Sequence, residues 1–112
     1  MRILITESRL QQLINNVLND EFGELYEYSE HTIERNGEFR SITYSKEGQN
    51  VMRYYFGSDY LYIANEMLNK LNIFGLDDNN DNKKELVIGK WFESVYELPV
   101  DAVGMIDIEA LN

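Results

Sequence analysis

The sequence predicts an α+β domain. Apolar residues at helical spacing occupy both ends of the chain, and the middle is built of short β-favouring runs broken by turns. Composition supports one packed core. Of 112 residues, 44% are hydrophobic and 12% aromatic, enough to offset the conformational entropy of one modest core with little room for a second. The expected architecture is an N-terminal helix, a three-stranded antiparallel meander and two further helices packed on one face of the sheet. Residues 1–112 are read as a single domain, with 99–112 an acidic C-terminal tail or a short strand.

The first helix starts at Ile5-Thr6-Glu7-Ser8, where Thr6 can cap, Glu7 suits the positive helix end and Ile5 can staple against Leu10. Leu10, Leu13, Ile14, Val17 and Leu18 then share one helical face, with Phe22 a turn further on. Gly23 marks the stop. From Leu25 to Phe56 the composition turns to Tyr, Ile, Thr, Val and Phe, which favours strands. Asn36-Gly37 tolerates the positive φ of a type I′ hairpin and should join a strand ending near Arg35 to one starting near Glu38. Gly48 marks the next turn, and Val51 to Phe56 supply the third strand.

Gly57-Ser58-Asp59 offers a cap for a second helix, whose stripe is Tyr60, Ile63, Ala64, Met67, Leu68 and Leu71. The third helix opens on Asn82 with Glu85 in capping-box spacing. It carries Ile88, Trp91, Phe92, Val95 and Tyr96 on one face and ends near Leu98, before Pro99. Beyond Lys90 only acids accumulate, and Met105 to Ile108 can add a short strand.

Twenty acidic against ten basic side chains give a formal net charge of -10. The resulting field repels phosphate backbones, so no direct nucleic-acid binding is expected. The absence of Cys removes disulfides, thiolate nucleophiles and thiolate zinc sites, and fits a reducing compartment. No apolar run approaches the length that spans a bilayer, and Ile3-Leu4-Ile5 is too short for a signal peptide. The expected location is therefore cytoplasmic, the host cytoplasm if the gene is phage-borne, with no membrane partner.

No catalytic residue, metal ligand, cofactor or small-molecule substrate is identified, and the chain is read as not an enzyme. Asp77, Asn79 and Asp81 fall at alternating positions like those of a calcium loop, but Asn82 stands where the sharp turn needs Gly and Ile88 where the closing Glu belongs. That run reads as a solvated connection and helix cap. His31, the only histidine, has Glu30 and Glu34 nearby in sequence, and no nucleophile-elbow, zinc-protease, phosphate-loop or dinucleotide pattern occurs. Eight tyrosines are the distinctive feature. Tyr26, Tyr28, Tyr44, Tyr54 and Tyr55 fall in the sheet region and are the candidate partner-binding residues if one sheet face stays uncovered, because Tyr combines apolar contact with a hydroxyl at low entropic cost. Trp91 and Phe92 are assigned to the core.

The stretch Ile3-Leu4-Ile5-Thr6-Glu7-Ser8-Arg9-Leu10, running into a helix with Leu13 and Ile14, resembles the Ile-Thr-Glu-Ser-x-Leu-x-x-Leu-Ile opening of small phage-encoded proteins. Lys90-Trp91-Phe92-Glu93-Ser94-Val95-Tyr96-Glu97-Leu98 is similar to a Trp-Phe-Glu helix in some of the same proteins. The resemblance implies a viral origin and carries over no activity or site residue. Three functions then compete. The leading one is a small acidic phage-type protein-interaction module, a host-directed accessory or minor assembly protein, with a protein partner or self-association. The second is an acidic decoy that presents carboxylates where nucleic-acid phosphates would lie, favoured if Glu24, Glu27, Glu30 and Glu34 cluster with the C-terminal acids. The third is an enzyme using carboxylate or metal-assisted chemistry, which needs acids converging in a pocket.

Overall fold

The computed structural model describes residues 7–23, 25–34, 37–74 and 81–112, with the backbone alone at 7, 28–34, 37–39 and 81–82. In chain order, α1 (Glu7–Glu21) leads into four strands, β1 (Tyr26–Glu34), β2 (Gly37–Lys46), β3 (Gln49–Tyr55) and β4 (Tyr60–Ala64). A 3-10 helix (Asn65–Phe74), α2 (Asp81–Tyr96), β5 (Ala102–Ile106) and a 3-10 turn (Ile108–Leu111) follow. The five strands form one sheet in the order β1-β2-β3-β4-β5. Neighbours are antiparallel from β1 to β4, and β5 runs parallel to β4. The fold is α+β with a mixed sheet.

The sheet therefore has five strands, where the sequence suggested three in a meander and room for a short one at Met105 to Ile108. The fourth comes from the segment assigned to the start of the second helix. Tyr60, Ile63 and Ala64 satisfy a helical spacing, but Tyr60-Leu61-Tyr62-Ile63 also alternates, and tertiary pairing selects the alternation. Leu61 and Ile63 are fully buried beside Tyr54 and Met52, while Tyr60 and Tyr62 face the other way. Only from Asn65 does the chain coil, and then as a 3-10 helix that buries Leu68 and Leu71. The fifth strand begins at Ala102, three residues before the expected Met105. A parallel neighbour needs a crossover connection, which the 3-10 helix and α2 supply between β4 and β5.

Turn chemistry sets the register. The β1–β2 pairing matches Glu34 with Gly37, so Arg35 and Asn36 lie between paired ends and the expected Asn36 turn geometry falls outside the described residues. Lys46 pairs with Gln49 across Glu47 and Gly48, whose φ values of 52° and 82° are both left-handed, as a two-residue type I′ loop requires. Tyr44 then pairs with Met52 and Ser45 with Asn50, which leaves Val51 as an extra residue bulged in β3.

The buried sheet face carries Ile42, Tyr44, Met52, Tyr54, Leu61, Ile63 and Val103. Ile14, Leu18 and Phe22 of α1, Leu68 and Leu71, and Val87, Ile88, Trp91 and Phe92 of α2 join it in one connected core. Phe92 is the hub, with ring centroids 5.8 Å from Tyr44, 5.5 Å from Tyr54 and 4.7 Å from Tyr96. The proposed cap at Thr6 lies outside the described residues, and Asn82, expected to cap the third helix, is instead the second residue of α2, which already begins at Asp81. At its far end α2 stops at Tyr96. Glu97 turns left-handed at φ 56° and its N–H donates to Glu93 O at 3.0 Å, two residues ahead of Pro99.

Candidate interface and aromatic pocket

Strand alternation divides the tyrosines between two faces. Tyr44 and Tyr54 point into the core and are buried, so neither is open to a partner in this fold. Burial is the first cause of the upward push on both phenolic pKa values. At Tyr44 the Glu27 carboxylate adds to it, and at Tyr54 the hydrogen bond to Asp59 does. The Tyr54 hydroxyl lies 2.6 Å from Pro99 O and 2.9 Å from Asp59 Oδ1, and its one proton serves the two acceptors in turn. Tyr26 is 71% exposed on β1. The Tyr28 side chain lies outside the described residues.

Tyr55 is the candidate that the fold places in a cluster on the outer face. Its ring meets Tyr62 edge-on at 5.8 Å, and Tyr62 lies 4.6 Å from Tyr60. All three are half-buried. The strand pairing puts Tyr55 opposite Tyr60 and Tyr62 opposite Gly104. A Cβ at Gly104 would come within 3.0 Å of both the Tyr60 and Tyr62 rings, so the glycine lets the two rings lie down over β5. Tyr60 and Tyr62 are hidden in the sequence by the helical spacing of Tyr60, Ile63 and Ala64, although their two-residue spacing beside Leu61 and Ile63 is the signal of a strand.

At the other end of this face, the C-terminal turn covers the sheet. Leu111 is buried, its carbonyl accepts from Asn50 Nδ2 at 2.8 Å, and the Asn112 side chain pairs with Asn50 N and O at 2.8 and 3.1 Å. The Asn112 amide thereby acts as a strand neighbour for Asn50. The tyrosine cluster lies beyond this cover, toward the β3–β4 turn.

On the helical side, a pocket of ≈ 370 Å³ opens where the end of α1, β1, β2 and the last turns of α2 converge. Phe22, Tyr44 and Trp91 form its buried floor, with Leu25 and Tyr96 half-buried on the walls and Glu27 and Val95 at the rim. Trp91 Nε1 donates to Asn19 Oδ1 at 2.8 Å, which fixes the indole. The rings are not parallel: Trp91 and Tyr96 stand at 90° with centroids 5.9 Å apart, and Tyr44 is tilted 51° to Tyr96 at 4.8 Å. Burial first, and then the field of Glu27, pushes the Tyr96 phenol up to about 12.

Glu27 stands on β1, at one edge of the sheet, while Asp101 and Asp107 flank β5 at the opposite edge, and Glu109 lies in the C-terminal turn that packs over β3 and β4. Four strand spacings, about 19 Å, separate β1 from β5. Among the described residues, no group of three His, Asp or Glu side chains is placed to hold a metal ion, and no helix is long and apolar enough to cross a membrane. The chain matches no family model, no curated protein and no solved structure.

Proposed function

We propose that this chain is a small protein-interaction module of phage type, acting as a host-directed accessory or a minor assembly protein, with the outer tyrosine face as its contact surface. The observation that carries the reading is the cluster of Tyr55, Tyr60 and Tyr62, which lies outside the core and is not covered by α1, the 3-10 helix or α2. Half-buried tyrosines held by one another are pre-ordered. They present apolar area and hydroxyls with few rotamers left to lose on binding. Backbone pairing fixes their spacing, so the surface is rigid before a partner arrives.

The acidic-decoy reading draws on net charge and gains less from the fold, since Glu27 on β1 and Asp101 and Asp107 beside β5 sit at opposite sheet edges, while the Glu24, Glu30 and Glu34 side chains lie outside the described residues. The test compares the intact chain with a Tyr60→Ser, Tyr62→Ser variant as immobilised bait in a native lysate of the producing bacterium, with folding of both checked by circular dichroism. A protein held by the intact chain at moderate salt and lost from the folded variant supports the tyrosine surface. A nucleic-acid-binding protein retained equally by both and released as salt rises would replace this reading with the decoy.

A further inference from the structure

Of the two edge strands, only β1 carries the charge that ordinarily blunts a sheet edge, since its sequence places Glu27, Glu30 and Glu34 along it. The opposite edge is Ala102-Val103-Gly104-Met105-Ile106 of β5, which contains no charged residue, no proline and no break in its register with β4. One side of its backbone pairs with β4, and among the described residues no segment pairs with the other side. Alternate N–H and C=O groups along that side are therefore left to water or to a further strand. The edge is also held in place. Asp101 N donates to Asp59 O at 2.8 Å, and Val100 N donates to Glu93 Oε1 at 3.2 Å.

On the helical side of this edge, α2 and the start of β5 border a groove of ≈ 220 Å³. That is below the ~300 Å³ at which ligand pockets begin, and it suits a single side chain. Buried Val103, half-buried Val100 and Leu86, 57% exposed, supply its apolar lining. Gly89 leaves the space open, since a Cβ there would meet Val100 and Val103 at 3.6 Å. A strand laid along β5 turns alternate side chains toward the helical face, where the groove can receive one of them.

Charge selects the occupant. Glu85, Glu93 and Asp101 border the groove against Lys90 alone, and Asp101 and Asp107 bracket β5. Two β5 strands paired in register, in either direction, would set these aspartates against one another, and each copy would bring a net charge of -10, so a second copy fits the edge badly. A strand with a basic residue at each end meets the opposite sign at both.

We propose that the outer edge of β5 takes up an extended basic peptide segment of a partner as a sixth strand, with one apolar side chain in the groove beside Leu86 and basic residues near Asp101 and Asp107. The proposal stands on the strand edge and does not rest on the outer tyrosine face. The probe is a short fluorescent peptide of alternating valine and threonine with lysine at both ends, titrated into the full chain and followed by anisotropy and by amide exchange.

The expected result is saturable binding in the micromolar to millimolar range, with slowed amide exchange at residues 102–106. Methylating the backbone nitrogens along one edge of the peptide abolishes binding, and along the other edge leaves it intact, because only one edge meets β5. Terminal glutamates in place of the lysines weaken binding by about tenfold. Asp101→Asn combined with Asp107→Asn lowers affinity for the lysine peptide by about fivefold with an unchanged melting temperature, and Leu86→Lys at the exposed side of the groove lowers it by a similar factor. No saturable binding, the same response to both methylated peptides, slowed exchange on β1 instead of β5, or full affinity in the aspartate double variant overturns the proposal. Slowed exchange on β5 that grows with protein concentration in the absence of peptide also overturns it, since a second copy then occupies the edge.

Discussion

Tyr54 shows how much one buried hydroxyl can organise. Its ring stacks on Phe92 at an interplanar angle of 22°, and its oxygen reaches Asp59 in the β3–β4 turn and Pro99 in the connection after α2. Asp59 O in turn accepts from Asp101 N at 2.8 Å, so the turn and the start of β5 are held to one strand residue. Removing only the hydroxyl, in Tyr54→Phe, is expected to cost about 1 kcal/mol, read as a lower urea midpoint with unchanged slope. The opposite sign is expected at Glu97, where a side chain is held at φ 56° and only Gly adopts that conformation without penalty. Glu97→Gly should stabilise by roughly half to 1 kcal/mol after its greater unfolded-state entropy is counted, visible as a melting temperature raised by a few degrees.

At the scale of elements, the helices and the hairpins draw stability from different sources. The last turn of α1 contains no basic residue to offset its negative end. The cations come from elsewhere in the chain: Lys46 of β2 donates to Glu21 O at 2.6 Å, and Lys70 of the 3-10 helix pairs with the Glu21 carboxylate at 2.9 Å. Lys46→Met keeps the stem and removes the charge, and should cost about 0.5 to 1 kcal/mol, with the loss localised by faster amide exchange at the end of α1. In the β2–β3 hairpin the limiting feature is the left-handed Glu47 before Gly48. Glu47→Asn gives this loop the Asn-Gly pair that type I′ turns favour and should raise the thermal midpoint without altering the sheet's circular dichroism. These two elements also show the limits of reading by pattern. The stripes of α1 and α2 were legible because Ile14, Leu18, Ile88 and Phe92 recur at helical spacing over several turns and nothing else fits them. The segment from Tyr60 fitted two periods, and five residues are too few to separate them.

For the whole molecule, the buried phenols couple stability to alkaline pH. Tyr44, Tyr54 and Tyr96 are all pushed above the ordinary tyrosine value, Tyr96 to about 12. Below about pH 10 folded and unfolded chains both hold these protons, so the contribution is complete and constant. Above that value the unfolded chain releases protons first, and stability is lost as pH rises through the folded-state values. Melting temperature should therefore fall steadily from about pH 10 upward, and Tyr96→Phe should shallow that fall. Ultraviolet titration of phenolate should show Tyr44, Tyr54 and Tyr96 ionising late.

By itself the sequence determined what kind of object this chain is. It has enough apolar residues for one core, a charge that repels phosphate, two helices with unambiguous stripes, and a strand-rich middle with tyrosine as its dominant side chain. Those properties are local or summed over the chain, and they do not depend on which segment meets which. Tertiary structure decided the rest. Alternation shows that successive tyrosines point opposite ways, but not which way is inward, so Tyr44 and Tyr54 could be assigned to the core only once Phe92 of α2 packed against them. The same packing turned Tyr60 and Tyr62 outward over Gly104, and it brought Glu27, Tyr44, Trp91 and Tyr96 into one pocket from three separate elements. A site assembled across such sequence distances leaves no local pattern, because the physical requirement it satisfies is proximity in the folded chain.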